Sequence, residues 1–522
     1  MSATTALVGD MSDEATRHRR RAGGERLARI GPIGVAVVIA LGASLPNLNT
    51  RPVWLDEAYT VGATRDLVAT WRGSGGTQAL YYLLMWPVTR ISTTQVWVRL
   101  PSVVFAVAAV VVVHEIGRRI AGRRAAALAA CSLAAMWSLA RYAIEARSYS
   151  LTILLVSLGW LGLVAAVQAG AESPAERRRW WWLYVTATLL MPLAHGLAAL
   201  QFAGHLVAFA LAPDARRWLR ASIPVGVGLA LEAGLLFMVG AGEVGNWVPP
   251  LNMDQVRSMG HVLFGYGLTG WAAGGVAVVG AVLAVVELGR RTDRPERTDG
   301  ANGADPADPA ARTAAWAPVV PVLWLAVMPL CLLALSTQRP YAEPRYVLGS
   351  LPAVALLIGG ALARVQPRVV GVVAGAVLVA ALLGDHAHVT SGGQEDWPGL
   401  VAHLAANAHD GDRLLVPEKY RPPVDYWWVA DDDAPRPDLL PLSPVDPLGE
   451  VRRFYDTATP RAMGERMIAD TSTTVWYVDR SDIGRHRVER LLDDPIVRFT
   501  YVATEITVYD GDLYLVRFTP RG

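Results

Sequence analysis

The feature that most constrains this 522-residue chain is a series of apolar stretches, each near the ~20 residues that a helix needs to cross a bilayer. Backbone polar groups find no water in hydrocarbon, so every crossing has to bond internally, as a helix does. Eleven stretches are expected to cross: 30–48, 100–117, 125–139, 148–171, 180–194, 195–212, 221–241, 262–288, 316–336, 346–363 and 369–384. At 52% hydrophobic and 18% charged, the composition excludes a disordered or wholly water-soluble chain. A formal charge of +2 excludes the one-signed field of a nucleic-acid binder. Cys131 and Cys331 both lie in apolar runs, which rules out a disulfide framework and a cysteine-rich zinc site.

Arginine, which stands in for lysine almost everywhere except Lys419, sets the orientation. Positive charge beside short loops is retained in the cytoplasm. The clusters are Arg17 to Arg29, Arg118 to Arg124, Arg177 to Arg179, Arg216 to Arg220 and Arg290 to Arg297. They fall on one side only if the stretch 79–88 does not cross and lies as a helix on the outer face. The expected layout is a cytoplasmic basic segment (1–29), a membrane domain (30–384) with an outer loop (49–98) and a cytoplasmic linker (289–315, its flexible part 292–309), and an extracytoplasmic soluble domain (385–522). A cysteine at position 62 should then be labelled from outside. The first span reads as an anchor rather than a cleaved signal, because no small-x-small site follows it.

The tail, where hydropathy falls, reads as an α/β or α+β module, with helices at 396–406 and 485–492 and strands at 413–416, 474–478, 496–503 and 513–518.

Charged and aromatic residues from distant parts of the chain meet on the outer face in this layout. Asp56 and Glu57 stand beside Trp54 and Tyr59, a pattern that suits a general base near a sugar and equally suits a helix cap with a solvated acid. Arg141, Glu145 and Arg147, with Tyr142 and Tyr149, offer an anionic group a landing place, or serve as snorkelling anchors. Arg339, Glu343, Arg345 and Tyr346 repeat that combination before the tenth span, and His195 marks the outer turn between the fifth and sixth. Residues 242–259 read as an outer loop. The spans themselves hold few ionisable groups, chiefly Glu115, Glu232 and Glu287, which argues against a secondary transporter with its site at mid-membrane. Scattered acids and one outer histidine form no ligand motif, so no metal is assigned, Asp385-His386-Ala387-His388 being a weak alternative.

The ordered series Trp54-Leu55-Asp56-Glu57-Ala58-Tyr59, Ala79 to Leu84 with Tyr81, Arg99-Leu100-Pro101-Ser102, Glu145-Ala146-Arg147-Ser148-Tyr149 and Arg345-Tyr346 with Leu351-Pro352 resembles GT-C membrane glycosyltransferases. The similarity is to bacterial protein O-mannosyltransferases and lipid A aminoarabinose transferases (glycosyltransferase family 39-like), and Glu395-Asp396-Trp397 with Gly411-Asp412 is similar to tails of actinobacterial members. The resemblance implies transfer of a sugar, with mannose expected, from a polyprenyl-phosphate donor to a cell-envelope glycan, lipid or protein at the plasma membrane. It implies Asp56 as catalytic base, Glu57 as a positioning partner, and Arg147 and Arg345 on the donor phosphate. Trp54, Tyr59, Tyr81, Arg141, Glu145, Tyr149, His195 and Tyr346 complete the expected substrate-binding set. One departure is that Thr77-Gln78-Ala79 stands where relatives carry His-Pro-Pro. The alternative is a non-catalytic glycan-binding protein or a lipid transporter on the same scaffold.

Overall fold

The computed structural model describes residues 31–74, 76–169, 173–239, 248–292, 313–314, 316–390, 395–417, 420–429, 440–441, 467–468, 471–480 and 489–521. The basic segment 1–29, nearly all of the linker beyond Thr292 and the first half of the expected helix 485–492 lie outside them.

A helical bundle fills the first three quarters of the chain. Among the described residues, seven helices are long and apolar enough to cross a membrane, and two shorter apolar ones, Gly31–Asn47 (α1) and Gly196–Leu211, accompany them. Several carry large apolar side chains on the outside, such as Leu268, Trp271, Val369 and Val373, an arrangement that water would not tolerate over so wide a surface.

The helix Gln95–Ala135 (α5) is two helices in one run, because Gly122 breaks it at φ 85° and ψ 177°. A Cβ on Gly117 would lie 2.8 Å from Ala126 Cα. In a straight helix those residues stand about 13.5 Å apart, so the chain reverses at Gly122. This hairpin separates the second and third expected spans at the Arg118 to Arg124 cluster. Arg124 reaches back to the end of Leu351–Arg364, donating to Leu362, Ala363, Val365 and Arg368 carbonyls at 2.6 to 3.4 Å.

Three expected elements are corrected. The third span ends at Ala135, and a separate short helix, Trp137–Ala143, follows Met136. The stretch 262–288 is two helices, Met253–Phe264 and Gly267–Thr292, divided at Gly265, whose φ of 100° a residue with a side chain rarely adopts. The first of these occupies much of the expected loop 242–259, because Asn252 and Gln255 form a capping box.

Two short helices, Leu55–Ala63 (α2) and Leu67–Ser74 (α3), precede Ala79–Ile91 (α4). The last buries Tyr81, Tyr82 and Met85 and leaves the apolar Leu83, Leu84 and Trp86 exposed, so both of its faces are apolar. Gly62 is buried in α2, so position 62 is a poor labelling site.

Among the described residues, the tail contains a five-stranded mixed sheet. Strands Arg413–Leu415 (β1), Leu440–Pro441 (β2), Val475–Arg480 (β3), Tyr501–Tyr509 (β4) and Leu513–Pro520 (β5) lie in the order β2-β1-β3-β5-β4. β1 pairs in parallel with β2 and β3, while β5 pairs antiparallel with β3 and β4. Alternation along β3 sends Trp476 and Val478 to one core and Val475 and Tyr477 to the other. Trp397–Asn407, capped by Asp396 on Gly399 N–H, and Arg421–Val429 pack on the first core. Pro495–Thr500 is a helix capped by Asp494, so the strand expected from 496 starts only at Tyr501.

Candidate active site

The site begins with α2, which enters from an extended Trp54 and carries Asp56 and Glu57 in its first turn, where carboxylates suit the helix dipole. Successive helical residues point about 100° apart, so the two acids face different surroundings. Asp56 keeps a quarter of its side chain exposed. Its Oδ2 lies 3.6 Å from Arg147 Nη2 and 3.5 Å from Arg345 Nη1. Arg147 also donates to the Asp56 carbonyl at 3.3 Å. Residues 91 and 289 positions further on thus converge on one carboxylate.

The Arg147 guanidinium is buried and that of Arg345 is half-buried. Burial by itself would lower the Arg147 pKa, and the Asp56 carboxylate beside it carries the net shift upward, which keeps the cation charged. Arg345 is paired with Glu343 at 2.9 Å, and its guanidinium lies 5.9 Å from the Trp54 ring and 5.8 Å from the Tyr149 ring. Burial raises the Glu343 carboxyl, with Arg345 pulling the other way. His195, in extended backbone after Pro174–Ala194, stands 4.8 Å from the Tyr346 ring and 6.2 Å from Tyr149. Tyr149, His195, Gln201, Arg345 and Tyr346 line a narrow crevice with room for roughly one water.

Several expected binding residues have other duties. Glu57, expected to position substrate, is fully buried and committed within the protein. Its Oε1 accepts from Arg99 Nε and Ala146 N–H, both at 2.8 Å, and its Oε2 from Arg99 Nη2 at 2.6 Å. Arg99 spends its remaining donors on the carbonyls of Leu48, Arg51 and Pro52 at 2.7 to 3.2 Å, which shapes the entry to α2. Tyr81 is also fully buried, its hydroxyl 3.0 Å from Ser102 Oγ. Arg141 and Glu145 pair with each other, and Tyr59 is buried one turn beyond Asp56. Arg51 joins this inner layer, where burial and the nearby Arg141 bring its pKa down to about 10. Arg339 is exposed.

Arg99 has no place in the expected site, although a single arginine at the start of an apolar run was a visible signal. Glu395 stood out only as part of the Glu395-Asp396-Trp397 motif, and nothing in the sequence tied it or Trp427 to α2, because only the fold brings them there. Among the described residues, no three His, Cys, Asp or Glu side chains come together in a metal-holding group. Asp385 instead accepts from Tyr266 N–H at 3.1 Å, and His386 Nε2 lies 2.8 Å from the Ala135 carbonyl.

The arrangement is a helical bundle with apolar helices long enough to cross a membrane, bearing a partly exposed acid between the buried Arg147 and the half-buried Arg345, with a small domain packed against it. No protein-family model matches the chain, and no curated protein matches it in sequence. Among solved structures it is similar to ArnT from Cupriavidus metallidurans in the apo state, with TM-score 0.59 and 13% identity over 94% of this chain and 98% of that one. The same protein bound to undecaprenyl phosphate gives 0.53 and 14%, over 94% and 97%. The Archaeoglobus fulgidus oligosaccharyltransferase in complex with Zn and sulfate gives 0.56 and 11%, over 91% and 72%. The fold is GT-C-like, and its apolar helices are those of a membrane protein.

Proposed function

We propose that the chain is a membrane glycosyltransferase that moves a sugar, mannose in the first instance, from a polyprenyl-phosphate carrier to a cell-envelope acceptor. The observation that carries this reading is the partly exposed Asp56 carboxylate held 3.6 Å from the buried Arg147 and 3.5 Å from the half-buried Arg345. A catalyst for this transfer needs a base for the acceptor hydroxyl and cations for the phosphate that leaves. Asp56 takes the acceptor proton while the hydroxyl oxygen bonds to the anomeric carbon. The carbon–oxygen bond to phosphate breaks, and Arg147 and Arg345 receive the developing charge. A single displacement uses one carboxylate and inverts the anomeric centre, unlike the two-carboxylate glycosidase arrangement. The Trp54 Nε1–H is buried with no hydrogen-bond partner among the described residues, and we assign it to a sugar oxygen.

The carrier lipid also accounts for the setting. Eleven crossings with the arginine clusters inside place α2, the crevice and the tail on the outer face, where such a donor presents its headgroup. Binding of undecaprenyl phosphate by ArnT and of dolichol-phosphate by the Archaeoglobus fulgidus protein AglB is in keeping with this donor class.

The test is incubation of the purified protein with labelled polyprenyl-phosphate mannose and membrane extract. A new labelled glycoside is expected; lipid movement without glycosidic bond formation would favour a transporter and reject the reading. Asp56→Asn should abolish transfer with folding intact, and Arg147→Ala should raise the donor KM. Near-normal turnover in the first variant would remove Asp56 as base.

A further inference from the structure

The helix that carries Asp56 lacks a cap of its own. A helix start leaves orphan N–H groups that a Ser, Thr, Asp or Asn side chain usually satisfies, and the residue in that position here is Trp54, which has no oxygen to offer. The acceptor comes from 340 positions further along the chain. Glu395 Oε2 accepts the Leu55 N–H at 2.9 Å and the Trp397 Nε1–H at 2.7 Å, and Arg480 Nη1 holds Oε1 at 2.6 Å. Glu395 is 2% exposed, so these bonds form away from competing water. On the other side of Trp54, the Val53 carbonyl accepts from Trp427 Nε1 at 3.0 Å. The Leu55 side chain is buried in the tail's own core with Trp397, Leu400 and Val424, and Trp54, the ring beside Arg345, packs against the same core.

We infer that Glu395 is a positioning residue for the transfer reaction, and that the carboxy-terminal domain is a wall of the active site which fixes the start of the Asp56 helix. The inference rests on the reading of Asp56 given above. Tail bonds bracket residues 53 and 55, so loosening them lets Asp56 drift from Arg147 and Arg345 while the bundle stays assembled.

The experiment uses full-length protein and two readouts, steady-state kinetics with the labelled donor and amide hydrogen exchange of the segment 53–59. Glu395→Ala should lower kcat about a hundredfold, the scale at which a misplacement of about 1 Å acts, with little change in donor KM. Leu55 exchange should accelerate while bundle helices keep their protection. Glu395→Gln, which retains an acceptor for Leu55, should recover most of kcat. If Glu395→Ala disturbs the tail fold, Trp427→Phe, which removes one donor and keeps an aromatic side chain, should show a smaller change in the same direction. Wild-type kcat in Glu395→Ala, or a kcat loss that tracks general loss of protection, would overturn the inference. Wild-type protein that transfers no sugar would sink the functional reading instead; Leu55 exchange would then decide the coupling alone.

Discussion

Asp56 and Glu57 show how far two adjacent carboxylates can diverge. One faces a partly wet cluster with two arginines, and the other disappears into a network that uses every N–H of Arg99. The resemblance in sequence separates their roles, Asp56 as base and Glu57 as positioning partner, but the burial of Glu57 on Arg99 depends on how α2 is rotated against α5. Arg147 and Arg345 were legible for a different reason, since outward arginines in an outer loop run against the retention of positive charge inside. Glu343 supplies a prediction at this scale. Burial raises its carboxyl, so on acidification it takes up a proton over a range that begins above that of an exposed glutamate, and its hold on Arg345 then ends. Donor KM should fall about threefold as pH is lowered through that range, the size of one released ion pair. Glu343→Gln should show the lower KM already at neutral pH and lose that dependence; equal pH profiles for the two proteins would count against it.

At the level of elements, apolar length and flanking arginines foretold most helices, and the errors share a physical cause. Gly265 and Met136 break runs whose hydropathy is unbroken, so a pattern of apolar residues passes straight over them. Pro495–Thr500 is rich in residues that favour strands, yet Asp494 caps it and tertiary packing makes it a helix. Gly122 is the opposite case, a turn legible from the arginines around it. Its φ and ψ lie in a region that side chains avoid, and a Cβ there would meet nothing within 4 Å. Gly122→Ala should therefore cost about 1–3 kcal/mol through backbone strain alone, read as a lower melting temperature in detergent. An unchanged melting temperature would show that the hairpin can turn another way.

On the scale of the whole molecule, the bundle and the tail were each visible in outline, while the contact between them was not. Hydropathy divides the chain near residue 385 but is silent on docking, which depends on single donors such as Trp427 Nε1 and Tyr426 Oη, the latter 2.7 Å from the Thr93 carbonyl. The proposed orientation makes a prediction here. A cysteine at the exposed Asp66, in a background free of Cys131 and Cys331, should react with an impermeant reagent in intact cells, as should one at exposed Asp510 in the tail. Protection of both until the cells are opened would invert the topology.

The reach of Glu395 back to Leu55 has a consequence for how the protein is made. Ribosomes deliver the Asp56 segment early and its anchoring acid only after three quarters of the chain has emerged. In the proposed transferase, competence therefore arrives late, with the final domain, and a prematurely terminated product would carry an Asp56 helix whose start no tail residue holds.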